Sequence, residues 1–476
     1  MSRQVCTALI AASALLGCGS SGDESTGPSA AGIRLVAGAD VTDTIEARPL
    51  QALVVEVRSA GKIQPGVIVR FESLPSADTT RRYEAAISVS KVAQNYFSAF
   101  TSDTTNASGR ASALVQLGTV AGDARLLVTC PELGFADTAR YTVRPGLAAK
   151  LVVSVRDTSV RTGGTYSIGA AVSDRAGNRR SDAVTYASRS ALATVDASGK
   201  VQVGQEIGRG TIAVSAGGAV DSASFSVIPL LNLMFMYTAG GSAWIAEGLS
   251  DGSGVRQRLR TPSPAYPSPS PTSDQIAFQR IDYEGKVYIL DTSGEVRELV
   301  DSTVINASYY PRFTADGQFI YFSGRDATGY AVWRVRPDGT ALTRITATGF
   351  GFTTPGVSLD GSRIAYSDDN GLVLLTLATG AKKIVGAPGW FPVFSPDGRR
   401  LAYFSGYNII VANADGTSAA PLSVPIGATD AGLSWLPDSK WLITRDFFVP
   451  VLVNASTSER MPLTAIPGYY QITAKP

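Results

Sequence analysis

The chain of 476 residues contains no histidine. That gap excludes Ser-His-Asp and Cys-His nucleophilic chemistry and every His-ligated zinc site. Charge is scarce: 17% of residues are ionised, and 42 Lys and Arg nearly balance 40 Asp and Glu. No basic stripe stands out, so no nucleic-acid partner is expected. Apolar residues at helical period are missing from any long stretch, which argues against a helical core. Beyond Leu16 no segment is long and apolar enough to cross a bilayer as a helix. Cysteine is nearly lacking as well, with Cys6, Cys18 and Cys130 alone, too few for a disulfide framework.

What is present begins at the N-terminus. Arg3 is a short positive region, and Val5 to Leu16 forms an apolar stretch of signal-peptide length. The following Leu15-Leu16-Gly17-Cys18 resembles a bacterial lipobox. The resemblance implies that residues 1–17 are a lipoprotein signal peptide and that the Cys18 thiol carries lipid, palmitate included. A secretory signal with an incidental cysteine is the alternative. Residues 18–31 are rich in Gly and Ser and read as a flexible tether. Gly19, where an aspartate would hold the protein back in enteric lipoproteins, implies outer-membrane sorting. The expected location is therefore the bacterial cell envelope, with the membrane as one partner through Cys18. Cys6 leaves with the signal, so Cys130 stands alone after LLVT and is read as a buried structural thiol.

The rest is patterned as strands bounded by Gly, Asn, Asp and Pro clusters, the signal of an all-β chain. Residues 32–145 contain QALVVEVRS and PGVIVRFES, which alternate as half-buried strands do. This region resembles the bacterial Ig-like β-sandwiches of invasin-type stalks, although the segment Ser76 to Ala99 is long for that fold. Residues 147–229 include Thr194-Val195-Asp196, the Gly199-Lys200-Val201 turn and Gly208 to Ile212. They are similar to bacterial Ig-like group 2 domains, which implies a sandwich of about seven strands.

Residues 230–476 repeat. PSPSPTSDQIAF from Pro267, PRFTADGQFIYF from Pro311, PGVSLDGSRIAY from Pro355, PVFSPDGRRLAY from Pro392 and LSWLPDSKWLIT from Leu433 start 44, 44, 37 and 41 residues apart. A period of about 40 residues with four strands per unit is that of a β-propeller blade. The pattern resembles the TolB-like propeller repeat. Five copies are complete. The segment before them lacks its proline-bearing strand, and residues from about 467 to 474 look like that strand alone. Six blades are expected, closed by pairing of the two ends, which hides a free sheet edge.

The recurring Asp316, Asp360, Asp397 and Asp438 occupy one place in the repeat, three of them followed by Gly. Asp and Gly at such a place serve a tight turn. A catalytic carboxylate needs a unique setting, and one active site would not need four copies. No dense acidic loop of the calcium-binding kind is present, so no metal and no cofactor are expected.

The residues leading into each repeat are more suggestive. Tyr266, Tyr310, Phe352, Trp390 and Phe391 lie where the chain enters an innermost strand. Near the mouth of a propeller channel they would suit a peptide or sugar face; packing between blades is the other reading. The resemblance to TolB, a periplasmic protein that joins envelope complexes, implies a scaffold role. The expectation is a non-enzymatic lipoprotein whose propeller binds an envelope protein or polysaccharide. Two alternatives stay open: a propeller-based carbohydrate-active enzyme with paired carboxylates, and an adhesin acting through the Ig-like domains.

Overall fold

A computed structural model describes residues 31–474, apart from 77–79, 82–86, 93–95, 240–241, 282–284, 348–352, 424–425, 427–431, 448 and 465–468. The signal segment and Cys18 lie outside the described residues. Among those described, every regular element is a strand. The chain forms two compact units. One holds the residues through Ser154 with Gly169–Thr185 and Val214–Asp221; the other holds Val155–Ile168, Tyr186–Ala213 and Ser222–Pro476.

In the first unit, two five-stranded sheets close on one core. One runs Gly32–Ala37, Leu53–Ser59, Arg110–Leu117 and Ile87–Ser90, with Lys62–Ile63 attached to Leu53–Ser59. The other runs Val41–Thr44, Phe135–Arg144, Gly122–Cys130, Ile68–Ser73 and Phe100–Thr104. Alternation builds this core. In Arg110–Leu117 the residues Ala111, Ala113, Val115 and Leu117 point inward, and in Gly122–Cys130 it is Ala124, Leu126, Val128 and Cys130. Cys130 is fully buried, and burial pushes its thiol pKa up, which suits packing and not reaction. The buried Tyr141 donates its hydroxyl to the Gly38 carbonyl at 2.8 Å. Asn178 uses all its bonding capacity: its amide donates to the Thr119 carbonyl and to Asp174, both at 2.8 Å, while its oxygen accepts from Ala121 N–H and Arg81.

Residues 147–229 are built of strands from two to ten residues long. Ten strands form three sheets there. The chain changes sheets at Gly163, whose φ of 71° turns it. Before it, Asp157–Arg161 runs parallel to Ser224–Ile228; after it, Thr165–Ser167 pairs antiparallel with Lys200–Gln202.

The second unit contains a β-propeller of six four-stranded antiparallel sheets. Blade 1 begins with Tyr469–Ala474, followed outward by Asn232–Ala239, Ser242–Leu249 and Arg256–Arg260. Blades 2 to 6 begin with Pro264–Pro269, Ala307–Phe313, Gly356–Val357, Trp390–Phe394 and Ser434–Trp435. The last described strand thus pairs antiparallel with the first of the propeller, Leu233 opposite Ala474 and Phe235 opposite Ile472, as the repeat count requires. Each pair of neighbouring blades shares its own apolar core. Phe278 and Met234 join blades 2 and 1, Phe322 and Val287 join 3 and 2, and Trp441 and Phe235 join 6 and 1. Arginines add bonds between blades: Arg363 reaches the Ala414 carbonyl at 2.6 Å and lies over Phe394, while Arg400 lies over Trp435.

Candidate functional site

Antiparallel order gives the propeller two unlike faces. The turns from the first to the second strand and from the third to the fourth emerge on one face. The connections into each innermost strand and the second-to-third hairpins emerge on the other.

The first face is made mostly of polar turns, with Leu359 and Val255 exposed among them, and the repeated aspartates build several of these turns. At Asp397 the Ser395 hydroxyl donates at 2.5 Å and the Arg399 N–H at 3.0 Å to one carboxylate oxygen. The Gly398 N–H bonds to the Ser395 carbonyl at 2.8 Å, with φ at 70°. Only glycine adopts that φ without strain. The arrangement repeats with Thr314 and Gln318 at Asp316, and with Ser358 and Ser362 at Asp360. In all three the hydroxyl bond, then the N–H bond, lowers the carboxyl pKa, to about 2 at Asp360. A carboxylate held ionised by such bonds is a poor proton donor. Asp438 takes the Lys440 and Trp441 N–H groups in the same way. In blade 2, where Thr272-Ser273 replaces Asp-Gly, the Ser270 hydroxyl accepts the Ser273 N–H at 3.2 Å. These residues are turn formers.

The second face carries the aromatic residues. Tyr266, Tyr310 and Phe391, from blades 2, 3 and 5, meet one another on the propeller axis. Tyr266 and Tyr310 are edge-on with ring centroids 4.5 Å apart. Phe391 stacks on Tyr266 at 5.5 Å and meets Tyr310 edge-on at 5.7 Å. Contact between blades 2 and 5, which are opposite in a ring of six, closes the channel at this level.

A repeated irregularity of the backbone aims these rings. Each precedes a proline, and each sits at a break in register: Ala265 to Ser268, Tyr309 to Arg312, Trp390 to Val393. The extra residue is a β-bulge. Its φ is 49° at Tyr266, 56° at Tyr310 and 52° at Phe391, the left-handed region that costs a bulky residue on the order of 1 kcal/mol or more. The surroundings hold it there: Phe391 N–H donates to Thr354 Oγ1 at 2.6 Å, and Tyr310 N–H to Gln279 Oε1 at 3.2 Å. Gly432, at the same place in blade 6, adopts a φ of 74° without strain.

The five aromatic positions singled out in the sequence therefore do not share one environment. Phe391 is buried, Tyr266 and Tyr310 are half-buried against each other, and Trp390 is 40% exposed. Phe352 lies outside the described residues. The sequence did not single out Tyr407 and Phe447, 65% and 64% exposed at the hairpin tips of blades 5 and 6. Ile281 and Val304 are exposed on the same face. Arg325 and Asp326 end a strand and have partners: Arg325 bonds Asn306 and lies near Tyr330, and Asp326 takes Thr328 and Arg344. Among the described residues no group of three His, Cys, Asp or Glu is placed to hold a metal ion.

No protein-family profile matches the chain, and no curated protein matches it. Solved structures are similar in part. TolB from Acinetobacter baumannii is 13% identical over 62% of this chain and 83% of its own, with a TM-score of 0.45. A chain of a nidogen/laminin complex is 12% identical, covering 52% of this chain and 98% of its own, at 0.42. An oligogalacturonate lyase in complex with manganese is 13% identical over 49% of this chain and 72% of its own, at 0.34. The propeller assignment rests on the six sheets themselves.

Proposed function

We propose that the chain is a non-catalytic lipoprotein of the bacterial cell envelope whose propeller binds a protein or polysaccharide partner. The reading places lipid on Cys18, takes residues 32–145 and 147–229 as Ig-like modules preceding the propeller, and assigns the anchor to the outer membrane. What carries it is the difference between the two propeller faces. One is built mostly of Asp, Ser, Thr and Gly turns bonded within themselves, with Leu359 and Val255 exposed among them. The other exposes Trp390, Tyr407, Phe447 and Ile281 around the aromatic trio. Exposed aromatic residues on a rigid frame give contact area at low entropic cost, and exposed apolar groups gathered on one face are a mark of an interaction site.

The test is capture from detergent-solubilised envelope by the full chain. The Trp390→Ser, Tyr407→Ser, Phe447→Ser triple variant is expected to lose the captured partner, while Asp338→Ser on the turn face keeps it. Equal capture by both would refute the reading.

A further inference from the structure

The strands Ala219–Ile228 and Asn232–Ala239 are joined by three residues, Pro229, Leu230 and Leu231. The sequence places a module boundary here, and such a junction is by default a place of relative motion. The structure pins it instead. Ser250, 1% exposed, donates its hydroxyl to the Pro229 carbonyl at 2.6 Å and accepts the Leu231 N–H at 2.9 Å. The Ser250 N–H donates to the Leu231 carbonyl at 2.9 Å. Pro229 has a fixed φ and favours an extended Ile228.

The same place is packed. Ile228 and Leu231 are buried in the cluster that Leu436 and Trp441 of blade 6 form with Leu233 and Phe235 of blade 1, and Ile207 packs against it. Polar contacts flank the apolar ones. Arg161 pairs with Asp251, in the turn between the third and fourth strands of blade 1. The Arg209 N–H donates at 3.1 Å to Glu459, in the corresponding turn of blade 6. Asp251, Leu436 and Glu459 all belong to the turn face. Arg161, Ile207, Arg209 and Ile228 therefore grip that face at blades 6 and 1, within the second compact unit.

We propose that the junction at residues 229–231 is a rigid coupling and not a hinge, so that the propeller is carried at a fixed angle to the strand Asp157–Arg161. The aromatic face, opposite the gripped one, is thereby held in one direction. Orientation settled on folding lowers the entropic cost of meeting a partner. The coupling does not depend on what that face binds, and stands if it binds nothing.

The test is the distance between spin labels at Lys200→Cys and Thr292→Cys, both exposed positions, in the full chain with Cys6→Ser and Cys18→Ser. Cys130 is buried and takes no label. Pulsed electron–electron double resonance is expected to show a single narrow peak. The peak is expected to be lost when Arg161→Ala, Ile207→Ser and Ser250→Ala are added. A broad distribution with the junction unaltered overturns the proposal, and so does a peak that the three substitutions leave unchanged. If the substituted chain fails to fold, the width of the first distribution decides alone.

Discussion

Tyr266 and Phe391 stack with ring centroids 5.5 Å apart and planes 28° from parallel, although they belong to blades on opposite sides of the ring. A contact of this kind exists only if the ring is closed and its axis is filled. It ties the two halves of the propeller through their centre, in addition to the cores between neighbouring blades.

The contact predicts unequal effects of two adjacent substitutions. Phe391→Ala removes a buried ring and two aromatic partners, and is expected to cost about 3 kcal/mol. Trp390→Ala, beside it but 40% exposed, is expected to cost less than about 1 kcal/mol. Chemical denaturation of the two variants measures both. Similar losses would show that Trp390 is core.

Ring closure makes a second prediction. Deleting residues 469–476 removes the strand that pairs with Asn232–Ala239 and frees a sheet edge in blade 1. Loss of cooperative unfolding and concentration-dependent aggregation are expected, read by calorimetry and light scattering. A truncated chain that melts as sharply as the intact one would contradict closure by this strand.

The turn aspartates set an acid limit. A carboxyl whose folded pKa is depressed contributes stability above its unfolded pKa, and the contribution is lost as pH falls toward the folded value. For Asp360 that window runs from 3.8 down to about 2. Melting temperature is expected to fall across this range in the wild type and to fall less steeply in Asp360→Asn. Parallel curves would remove the assigned role of the Ser358 and Ser362 bonds.

Asn178 predicts a local effect in the first unit. Asn178→Ala leaves the Thr119 carbonyl, the Ala121 N–H and one oxygen of Asp174 without this partner. Unsatisfied buried groups of this kind cost about 1–3 kcal/mol each, so a loss of about 3 kcal/mol is expected by denaturant titration.

The propeller was legible in the sequence because its blades are copies: Pro267, Pro311, Pro355 and Pro392 mark one strand four times over, and the Asp-Gly pairs mark one turn. The closing strand was legible from what the first and last segments each lacked. Convergence of Tyr266, Tyr310 and Phe391 was not. It depends on which blades face each other and on three left-handed backbone positions, and no local pattern announces a positive φ at Tyr or Phe before proline. Tyr407 and Phe447 escaped notice because each stands singly at a hairpin tip, where exposure depends on the fold. The division of residues 147–229 into three sheets was not legible because most of its strands, from Asp157–Arg161 to Lys200–Val203, have two to five residues and carry too little alternation to fix their pairing.

One face of the propeller, and not the other, is expected to meet a partner. The most direct measurement places a photo-crosslinking residue at Tyr407 or Phe447, and in separate chains at Asp338 or Thr379, in the native envelope. Adducts from the first two positions and none from the second two are the predicted result. Adducts from the turn face alone, or equally from both faces, would contradict it.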